Sequence, residues 1–365
     1  MSTATVVGAG VFGAATAREL ARRGWHVTLV EQYAPGTVRS ASGGDTRLLR
    51  ASHGSVDWYA ESAWRARSAW LELQEETGTH IWEPVGLAWF AQRADGFEAV
   101  SRESLHRLGI PCEWLSPDDA RDLYPSLNVD DLHAVLFEPE AGVLHARRAT
   151  QLLVEDGERA GVRLQPGRML PADEPRSDVV VWACGAWLPS IFPGLVEIRV
   201  TKQDVFHFGN EASWSCPPVP GWVDYDAAVY GTGDLDGHGV KVAPDREGPL
   251  FDPDADPRVA SAVNEKLARE YIATRFPGLG GAPLVGTRTC PYALTQDTHF
   301  LIAPHPEQER VWLLGGGSGH GFKHGPALGE YVRDLLEGTA EPDPRFALGK
   351  RQPAMSLRTA GGRAV

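Results

Sequence analysis

Three glycines near the N-terminus have the spacing of a turn that binds phosphate groups. The sequence GAGVFG occupies residues 8–13, between a short apolar run at residues 4–7 and a run of helix-forming residues. In such a turn the first glycine permits a tight bend, the second lets the backbone approach a pyrophosphate, and the third lets helix and strand pack closely. The helix N-terminus supplies free N–H groups for the phosphates. The residues expected at the cofactor are Gly8, Gly10, Val11, Phe12 and Gly13.

An acidic residue follows the next apolar run at the position where a ribose is expected. Glu31 comes directly after residues 26–30, which are mostly β-branched and apolar. A carboxylate there accepts hydrogen bonds from both ribose hydroxyls and repels a 2′-phosphate, which favours FAD or NAD over NADP. The glycine turn alone does not choose between FAD and NAD, and a turn that holds no ligand is the remaining alternative.

The surrounding elements predict a mixed α/β fold with a Rossmann-type dinucleotide domain. Strand, glycine turn, helix and strand follow one another up to Glu31, and residues 179–184 form a further buried strand of the parallel type. A strand at residues 311–314 and a helix at 325–336 repeat the βα pattern near the C-terminus. Residues 198–285 instead predict antiparallel strands joined by turn-rich loops, typical of an inserted substrate domain on a mainly antiparallel sheet.

This pattern divides the chain into two interleaved domains. A chain of 365 residues is too long for one ordinary core. We expect the FAD-binding domain at residues 1–82, 141–197 and 287–365, the last with a loose tail beyond about Lys350, and the substrate domain at residues 83–140 and 198–286.

Composition narrows the class of partner. The formal net charge of −13, without blocks of like charge, argues against nucleic acid or an anionic membrane and favours a small molecule. The four cysteines are scattered and form no CxxC pair. This pattern predicts a reducing compartment and argues against a cysteine-based zinc site, so we expect no metal. Because no basic leader precedes the first strand and no run reaches the ~18 apolar residues of a spanning helix, we expect a cytoplasmic protein.

Four segments together resemble the monomeric sarcosine oxidase family, which includes N-methyltryptophan oxidase and related pipecolate and imino-acid oxidases of the D-amino-acid oxidase-like superfamily. They occur in the family's order across nearly the whole chain. The segments are residues 8–13 (GAGVFG), 44–50 (GDTRLLR), 290–302 (CPYALTQDTHFLI) and 317–323 (GSGHGFK). The resemblance implies FAD as the cofactor.

In that family the cysteine of the Cys-x-Tyr segment is bonded to the 8α carbon of the flavin. The resemblance therefore implies a covalent link at Cys290, with Tyr292 in the active site. A nearby cation would favour the thiolate that this chemistry needs, and Arg288 or His299 are the nearest candidates along the chain. A buried structural cysteine is the alternative.

The resemblance also implies two cations that hold a substrate carboxylate, Arg50 and Lys323. An arginine fork and a lysine point charge suit a carboxylate well, although each residue could be an ordinary surface cation. The neighbouring residues expected to face the flavin, in addition to Lys323, are Thr46, Arg47, Gly319, Gly321 and Phe322.

Residues 230–241 resemble the family's active-site strand pair, which begins here at Tyr230 and ends at Lys241. In the family this lysine helps dioxygen react at the flavin, and a fixed positive charge stabilises superoxide in an apolar site. A lysine on an edge strand is the alternative. The chain departs from the family at Asp245, where the family has a histidine. This carboxylate either faces a cationic or hydroxyl-bearing part of a larger substrate or pairs with Lys241 or Arg246.

Together these features imply an oxidase of a secondary amine or of an imino or N-alkyl amino acid. Hydride would pass to the flavin N5, and dioxygen would leave as hydrogen peroxide, with the protein supplying orientation and desolvation. The alternatives are a flavin dehydrogenase with a non-oxygen acceptor, an NAD-dependent dehydrogenase, and a flavin-binding protein without turnover.

Overall fold

The mixed α/β fold expected from the sequence is confirmed by a computed structural model that describes residues 2–173 and 175–352. The predicted loose tail lies outside the described residues from residue 353 onward. The strands are β1 (Thr3–Val7), β2 (His26–Glu31), β3 (Thr46–Leu49), β4 (Trp82–Glu83), β5 (Leu87–Ala91), β6 (Glu113–Leu115), β7 (Ala134–Glu138), β8 (Gly142–His145), β9 (Arg163–Pro166), β10 (Val179–Trp182), β11 (Arg199–Phe208), β12 (Gly221–Asp224), β13 (Val229–Thr232), β14 (Val240–Pro244), β15 (Leu284–Leu294), β16 (Leu301–His305) and β17 (Gln308–Gly315). The α-helices are α1 (Val11–Arg22), α2 (Asp57–Thr77), α3 (Phe97–Leu108), α4 (Pro117–Ala120), α5 (Ala146–Arg159), α6 (Leu188–Ile191), α7 (Ala262–Arg275) and α8 (Gly325–Leu336).

The first sheet has six strands in the order β16-β17-β10-β1-β2-β9. The five strands from β17 to β9 are parallel, and only the edge strand β16 is antiparallel to its neighbour. Helix α1 packs between α5 and α8, and its small residues allow close contact. A Cβ added to Gly329 of α8 would lie 2.8 Å from the backbone of Ala15 in α1, so only glycine fits there.

The second sheet has eight strands in the order β15-β11-β14-β13-β12-β5-β7-β6. Its neighbours are antiparallel except for β12 and β5. Aromatic and β-branched side chains such as Phe206, Trp222 and Val242 form its core. A smaller sheet, β3-β8-β4, contains residues 46–49 of the GDTRLLR segment.

The prediction of strands and loops throughout residues 198–285 is wrong at α7, and α3 also went unpredicted. Ser261 caps α7, its Oγ accepting hydrogen bonds from the backbone N–H groups of Val263 and Asn264. Few α7 side chains are buried, chiefly Ala268 and Ile272, so the helix has only a narrow apolar stripe. Because the apolar stripe is narrow, apolar residues recur only weakly at the 3.6-residue spacing of a helix, and the sequence gives little sign of α7. The serine cap that marks the start of the helix depends only on neighbouring residues.

The proposed domain boundaries stay a prediction, and two of them fall inside strands. The boundary at 82/83 divides β4, and the boundary at 286/287 divides β15. Strand β15 is continuous, and in it Cys290 pairs with Gln203 and Tyr292 pairs with Thr201 of β11. Strand β15 of the second sheet thereby places Cys290 and Tyr292 at the carboxyl ends of the parallel strands of the first sheet. In the part of the chain that the structure describes, no helix is both long and apolar enough to cross a membrane.

Candidate active site

A deep cleft opens at the carboxyl ends of β1, β2, β10 and β17, where parallel sheets of this type bind their ligands. Its empty volume, counted to the open mouth, is about 1280 Å³. The predicted residues that line it are Gly8, Gly10, Val11, Phe12, Glu31, Arg47, Cys290, Tyr292, Gly319, Gly321 and Phe322. The predicted residues that do not line it are Gly13, Thr46, Arg50, Tyr230, Lys241, Asp245 and Lys323.

Two glycines of the turn, Gly8 and Gly13, leave no space for a side chain. Gly8 has φ +102°, and a Cβ there would lie 2.6 Å from the carbonyl oxygen of Ala183. A Cβ on Gly13 would overlap the carbonyl oxygen of Gly8. Gly13 therefore acts beneath the cleft, where it lets α1 approach β1, while Gly8 bends the chain. This cradle fits the pyrophosphate of a dinucleotide at the N-terminus of α1.

Two polar side chains hold this turn. Glu31 accepts hydrogen bonds from the backbone N–H of Ala9 at 2.7 Å and of Tyr33 at 2.9 Å. The Ser42 hydroxyl accepts one from the backbone N–H of Val11 at 3.0 Å. Each carboxylate oxygen of Glu31 has a second lone pair, so the group can also accept from a ribose hydroxyl.

At the other end of the cleft, glycines again allow close approach. A Cβ on Gly321 would lie 2.7 Å from the ring of Phe12, so the turn after β17 packs directly on the start of α1. Beside it, the Arg47 guanidinium lies over the ring of Phe322, 5.7 Å from its centroid. Arg47 Nη2 also lies 3.6 Å from Cys290 Sγ.

The hypothesis that Arg288 or His299 is the cation beside Cys290 is wrong, because Arg47 occupies that place. Arg288 faces Asp45, with 3.6 Å between Nε and Oδ2. His299 stacks on Tyr59 and hydrogen bonds to its hydroxyl at 3.2 Å. The sequence could not reveal this, since Arg47 is brought to the cysteine by the packing of two distant strands.

Lys241 is buried at the centre of the second sheet. Its Nζ donates to Thr46 Oγ1 at 3.0 Å and to the Thr46 carbonyl at 3.3 Å, which ties β14 to β3. Burial, followed by the positive charge of Arg47, lowers the pKa of Lys241 to about 7. Lys241 is thus close to the cations and the thiol at the cleft without lining it, and it is no edge-strand lysine.

A pair of tyrosines connects this region to Asp245. The hydroxyl oxygens of Tyr230 and Tyr292 are 3.2 Å apart. Burial, followed by the negative charge of Asp245, raises the pKa of Tyr230 to about 12, and burial raises that of Tyr292 as well. Asp245 is buried, and its backbone N–H donates to the carbonyl of Ala228 at 2.7 Å. The hydroxyls therefore keep their protons over the physiological range.

Arg50 and Lys323 are 273 positions apart in the sequence, but both are buried, and they lie close enough for the charge of Arg50 to affect the pKa of Lys323. Burial, followed by the positive charge of Arg50, lowers the pKa of Lys323. Burial lowers the pKa of Arg50 to about 10, against the opposing effect of Glu138 and Asp245. The Arg50 guanidinium lies 4.7 Å from the ring centroid of Trp89, and Lys323 Nζ donates to the carbonyl of His320 at 2.7 Å.

Sequence reasoning missed the carboxylate that faces these cations. Glu138, at the end of β7, is buried and accepts hydrogen bonds from Ala51 N–H (2.6 Å), the Ser52 hydroxyl (2.6 Å) and the Trp89 indole N–H (2.8 Å). No motif marks Glu138, and an acidic residue at the end of a strand is usually solvated. Ser42 was missed too, although it lies in a glycine- and serine-rich loop of the kind that caps helices.

Comparisons with known proteins identify the family and the fold. A family model described as "FAD dependent oxidoreductase" matches residues 3–335. Monomeric sarcosine oxidase of Bacillus sp. (strain B-0618) is 28% identical over 93% of each chain. N-methyl-L-tryptophan oxidase of Yersinia pestis (strain Pestoides F) is 24% identical over 92% of this chain and 95% of that one. The crystal structure of L-proline dehydrogenase from P. horikoshii has a TM-score of 0.82 at 21% identity, covering 94% of this chain and 95% of that one, and shows the same fold.

Proposed function

Because this chain belongs to the FAD dependent oxidoreductase family, we propose that it oxidises a secondary amine, or an imino or N-alkyl amino acid, and passes the electrons to dioxygen. The observation that carries this proposal is the pairing of two buried cations, Arg50 and Lys323, beside a dinucleotide cleft. Relatives named monomeric sarcosine oxidase and N-methyl-L-tryptophan oxidase support the same class of substrate. When bound, FAD supplies the acceptor for the hydride and the carrier that returns two electrons to dioxygen.

Arg50 and Lys323 hold the substrate carboxylate. Two cations buried near each other are costly, and Glu138 offsets only part of their charge. An entering carboxylate supplies the missing negative charge and favours the protonated form of Lys323. The planar fork of Arg50, lying over Trp89, fixes the direction of that carboxylate.

The remaining side chains orient the amine and exclude water. Tyr230 and Tyr292 stay protonated because their pKa values are raised, so they act as hydrogen-bonding groups and not as bases. The substrate amine is neutral when it reacts, and this chemistry needs orientation and desolvation more than a strong base. Asp245, close to both tyrosines, faces the part of the substrate that lies beyond its carboxylate.

Lys241 supplies positive charge where dioxygen is reduced. The first electron transfer to dioxygen makes an anion, and a fixed cation in a water-poor site stabilises it. The ammonium group is held by Thr46 and is present at and below a pH of about 7. This favours an oxidase over a dehydrogenase.

We also propose that Cys290 is attached covalently to FAD. Cys290 would supply the sulfur of a thioether to the 8α carbon of the flavin, and dioxygen would take up the two protons and two electrons released, as hydrogen peroxide. Arg47, whose Nη2 lies 3.6 Å from Cys290 Sγ, would place positive charge beside the reacting sulfur.

The proposed activity is tested by stoichiometry. Purified protein is mixed with sarcosine, proline, pipecolate or N-methylated larger amino acids in air-saturated buffer, and dioxygen consumption and hydrogen peroxide are measured together. The expected result is one peroxide for each dioxygen consumed, with at least one of these substrates. Turnover only with an artificial electron acceptor would replace the oxidase by a dehydrogenase.

A further inference from the structure

Three buried histidines converge behind Lys323, outside the dinucleotide cleft. His53, His320 and His324 are only 1%, 4% and 0% exposed. One ring nitrogen from each lies within 4.8 Å of the corresponding nitrogen of the other two. His320 and His324 flank Lys323 in the turn before α8, and His53 follows the segment that carries Arg50.

Each ring is anchored through one nitrogen and presents the other. The free nitrogens are His53 Nε2, His320 Nδ1 and His324 Nε2, and none has a hydrogen-bond partner within residues 2–173 and 175–352. The anchors are the carbonyl of Ala51 (2.9 Å), the carbonyl of Thr298 (2.8 Å) and Ser62 Oγ (3.0 Å), respectively. A carbonyl can only accept, so His53 and His320 carry their proton on the anchored nitrogen and present a lone pair from the other.

We propose that His53, His320 and His324 form a binding site for a divalent transition-metal ion, with Zn²⁺ as the preferred ion. Neutral imidazoles suit zinc and its neighbours in the first transition series, whereas Mg²⁺ and Ca²⁺ need oxygen ligands. Histidine ligands of metals typically donate their other N–H to a carbonyl or similar group, which is the anchoring seen for His53 and His320.

The spacing of the rings matches this coordination. With a Zn–N bond of about 2.0–2.1 Å and the ring centroid roughly 1.1 Å behind the nitrogen, tetrahedral imidazoles place their centroids about 5.2 Å apart. The observed centroid separations are 5.2 Å for His53 and His324, 5.7 Å for His53 and His320, and 6.1 Å for His320 and His324. The rings are thus spaced within about 1 Å of the separation that tetrahedral coordination requires, and water would supply the fourth ligand.

The charges around the cluster are compatible with a metal. Lys323 and Arg50 oppose an added cation, whereas the Glu138 carboxylate near Lys323 supplies negative charge. We therefore expect weaker binding than in zinc sites with thiolate or carboxylate ligands.

Packing alone does not explain the arrangement. Tyr59 and Phe300 surround the histidines, so the rings do belong to an aromatic cluster. Phenylalanine would fill such a cluster without leaving buried acceptors unpaired, and each unpaired acceptor costs free energy. A bound ion would join the segment after Arg50 to the turn that carries Lys323. This consequence for the carboxylate-binding pair, unlike the metal site itself, rests on the proposed function.

The test measures metal directly on the flavin-containing protein, purified without a histidine tag. The protein is treated with a chelator, freed of it, incubated with ZnCl₂, passed over a desalting column and analysed for zinc by mass spectrometry and for FAD by absorbance. We expect about one zinc per chain in the wild type and in His80→Ala, and at least tenfold less in His53→Phe and His324→Phe, since the loss of one of three ligands abolishes tight binding. All four proteins should keep their FAD.

His80→Ala is the matched control, because His80, Glu83 and His145 form a second group of possible ligands. Zinc lost in His80→Ala and kept in His53→Phe and His324→Phe would overturn the proposal in favour of that group. X-ray absorption at the zinc edge of the wild type gives a test that needs no variant: scattering from three imidazoles is expected, and zinc with mainly oxygen ligands, or no retained zinc, would refute the site. None of these measurements requires turnover, so a failed amine-oxidase assay leaves them unaffected.

Discussion

Arg47 Nη2 lies 3.6 Å from Cys290 Sγ, although 243 positions separate the two residues in sequence. The guanidinium places positive charge beside the sulfur that the proposed thioether would use. Cys184 lines the same cleft without this cation, and burial raises the pKa of its thiol. One cleft thus contains two cysteines, of which only Cys290 lies beside a cation.

The first prediction concerns covalent attachment of FAD. After acid precipitation, flavin should stay with the pellet for the wild type and for the control Cys184→Ala, and appear in the supernatant for Cys290→Ala. Arg47→Met should leave a substantial part of the flavin in the supernatant, because the variant lacks the cation beside the reacting sulfur. Complete release of flavin from the wild type would refute the covalent link, while the proposal that FAD binds would stand.

The second prediction concerns Lys241 and dioxygen. Lys241→Met should slow reoxidation of the reduced flavin about 10²–10³-fold, the usual effect of removing one preorganised charge or donor, and slow reduction by substrate much less. Stopped-flow measurement of the two half-reactions separates these effects. Lys266→Met on the surface of α7 serves as the control. Equal slowing of both half-reactions would give Lys241 a structural role.

The third prediction is the pH dependence of the same step. Because the pKa of Lys241 is lowered to about 7, the ammonium form predominates below that pH and is lost as the pH rises through it. Reoxidation should therefore become slower between about pH 6 and pH 8 in the wild type and stay flat in Lys241→Met. A profile with the same inflection in both proteins would assign the titration to another group.

The fourth prediction concerns the substrate. If the Asp245 carboxylate faces the substrate, it repels a second anion and favours a cationic or hydroxyl-bearing group, so sarcosine should be poor relative to cyclic or longer imino and N-alkyl amino acids. Steady-state kcat/KM for sarcosine, proline, pipecolate and N-methylated larger amino acids should change order in Asp245→His. Sarcosine as the best substrate, with an unchanged order in the variant, would exclude Asp245 from recognition.

The fifth prediction concerns the glycine turn. Gly13→Ala should lower the free energy of unfolding by about 1–3 kcal/mol and weaken FAD binding, because the new Cβ would overlap the carbonyl of Gly8. Alanine is otherwise favoured over glycine in a helix by roughly 1 kcal/mol, so a loss of stability can be attributed to the contact between the new Cβ and the Gly8 carbonyl. Gly281→Ala, where a Cβ meets nothing within 4 Å, is the control for thermal unfolding and flavin titration. Unchanged stability in Gly13→Ala would contradict the close packing of α1 on β1.

Local features of the fold were predictable from the sequence. Three predicted features depend only on residues that are neighbours in the sequence, and they could therefore be recognised without the structure. They are the turn from Gly8 to Gly13, the buried strand β10 and the start of α8 at Gly325. Helix α7 was missed because its apolar stripe is narrow, even though Ser261 provides an ordinary cap. Lys241 could be singled out only by resemblance, since its strand and its burial depend on neighbours that are distant in sequence.

The sequence by itself determined the dinucleotide turn, the family and the residue types available for chemistry, because these reside in short spacings. Only the tertiary structure decided which of those residues meet. Arg47 reaches Cys290, and Glu138 faces Arg50 and Lys323, through the packing of strands that are far apart in the chain. The three histidines at 53, 320 and 324 have no common motif, and their rings become neighbours only in the folded chain. Long-range approach depends on strand register and burial, which no local pattern encodes.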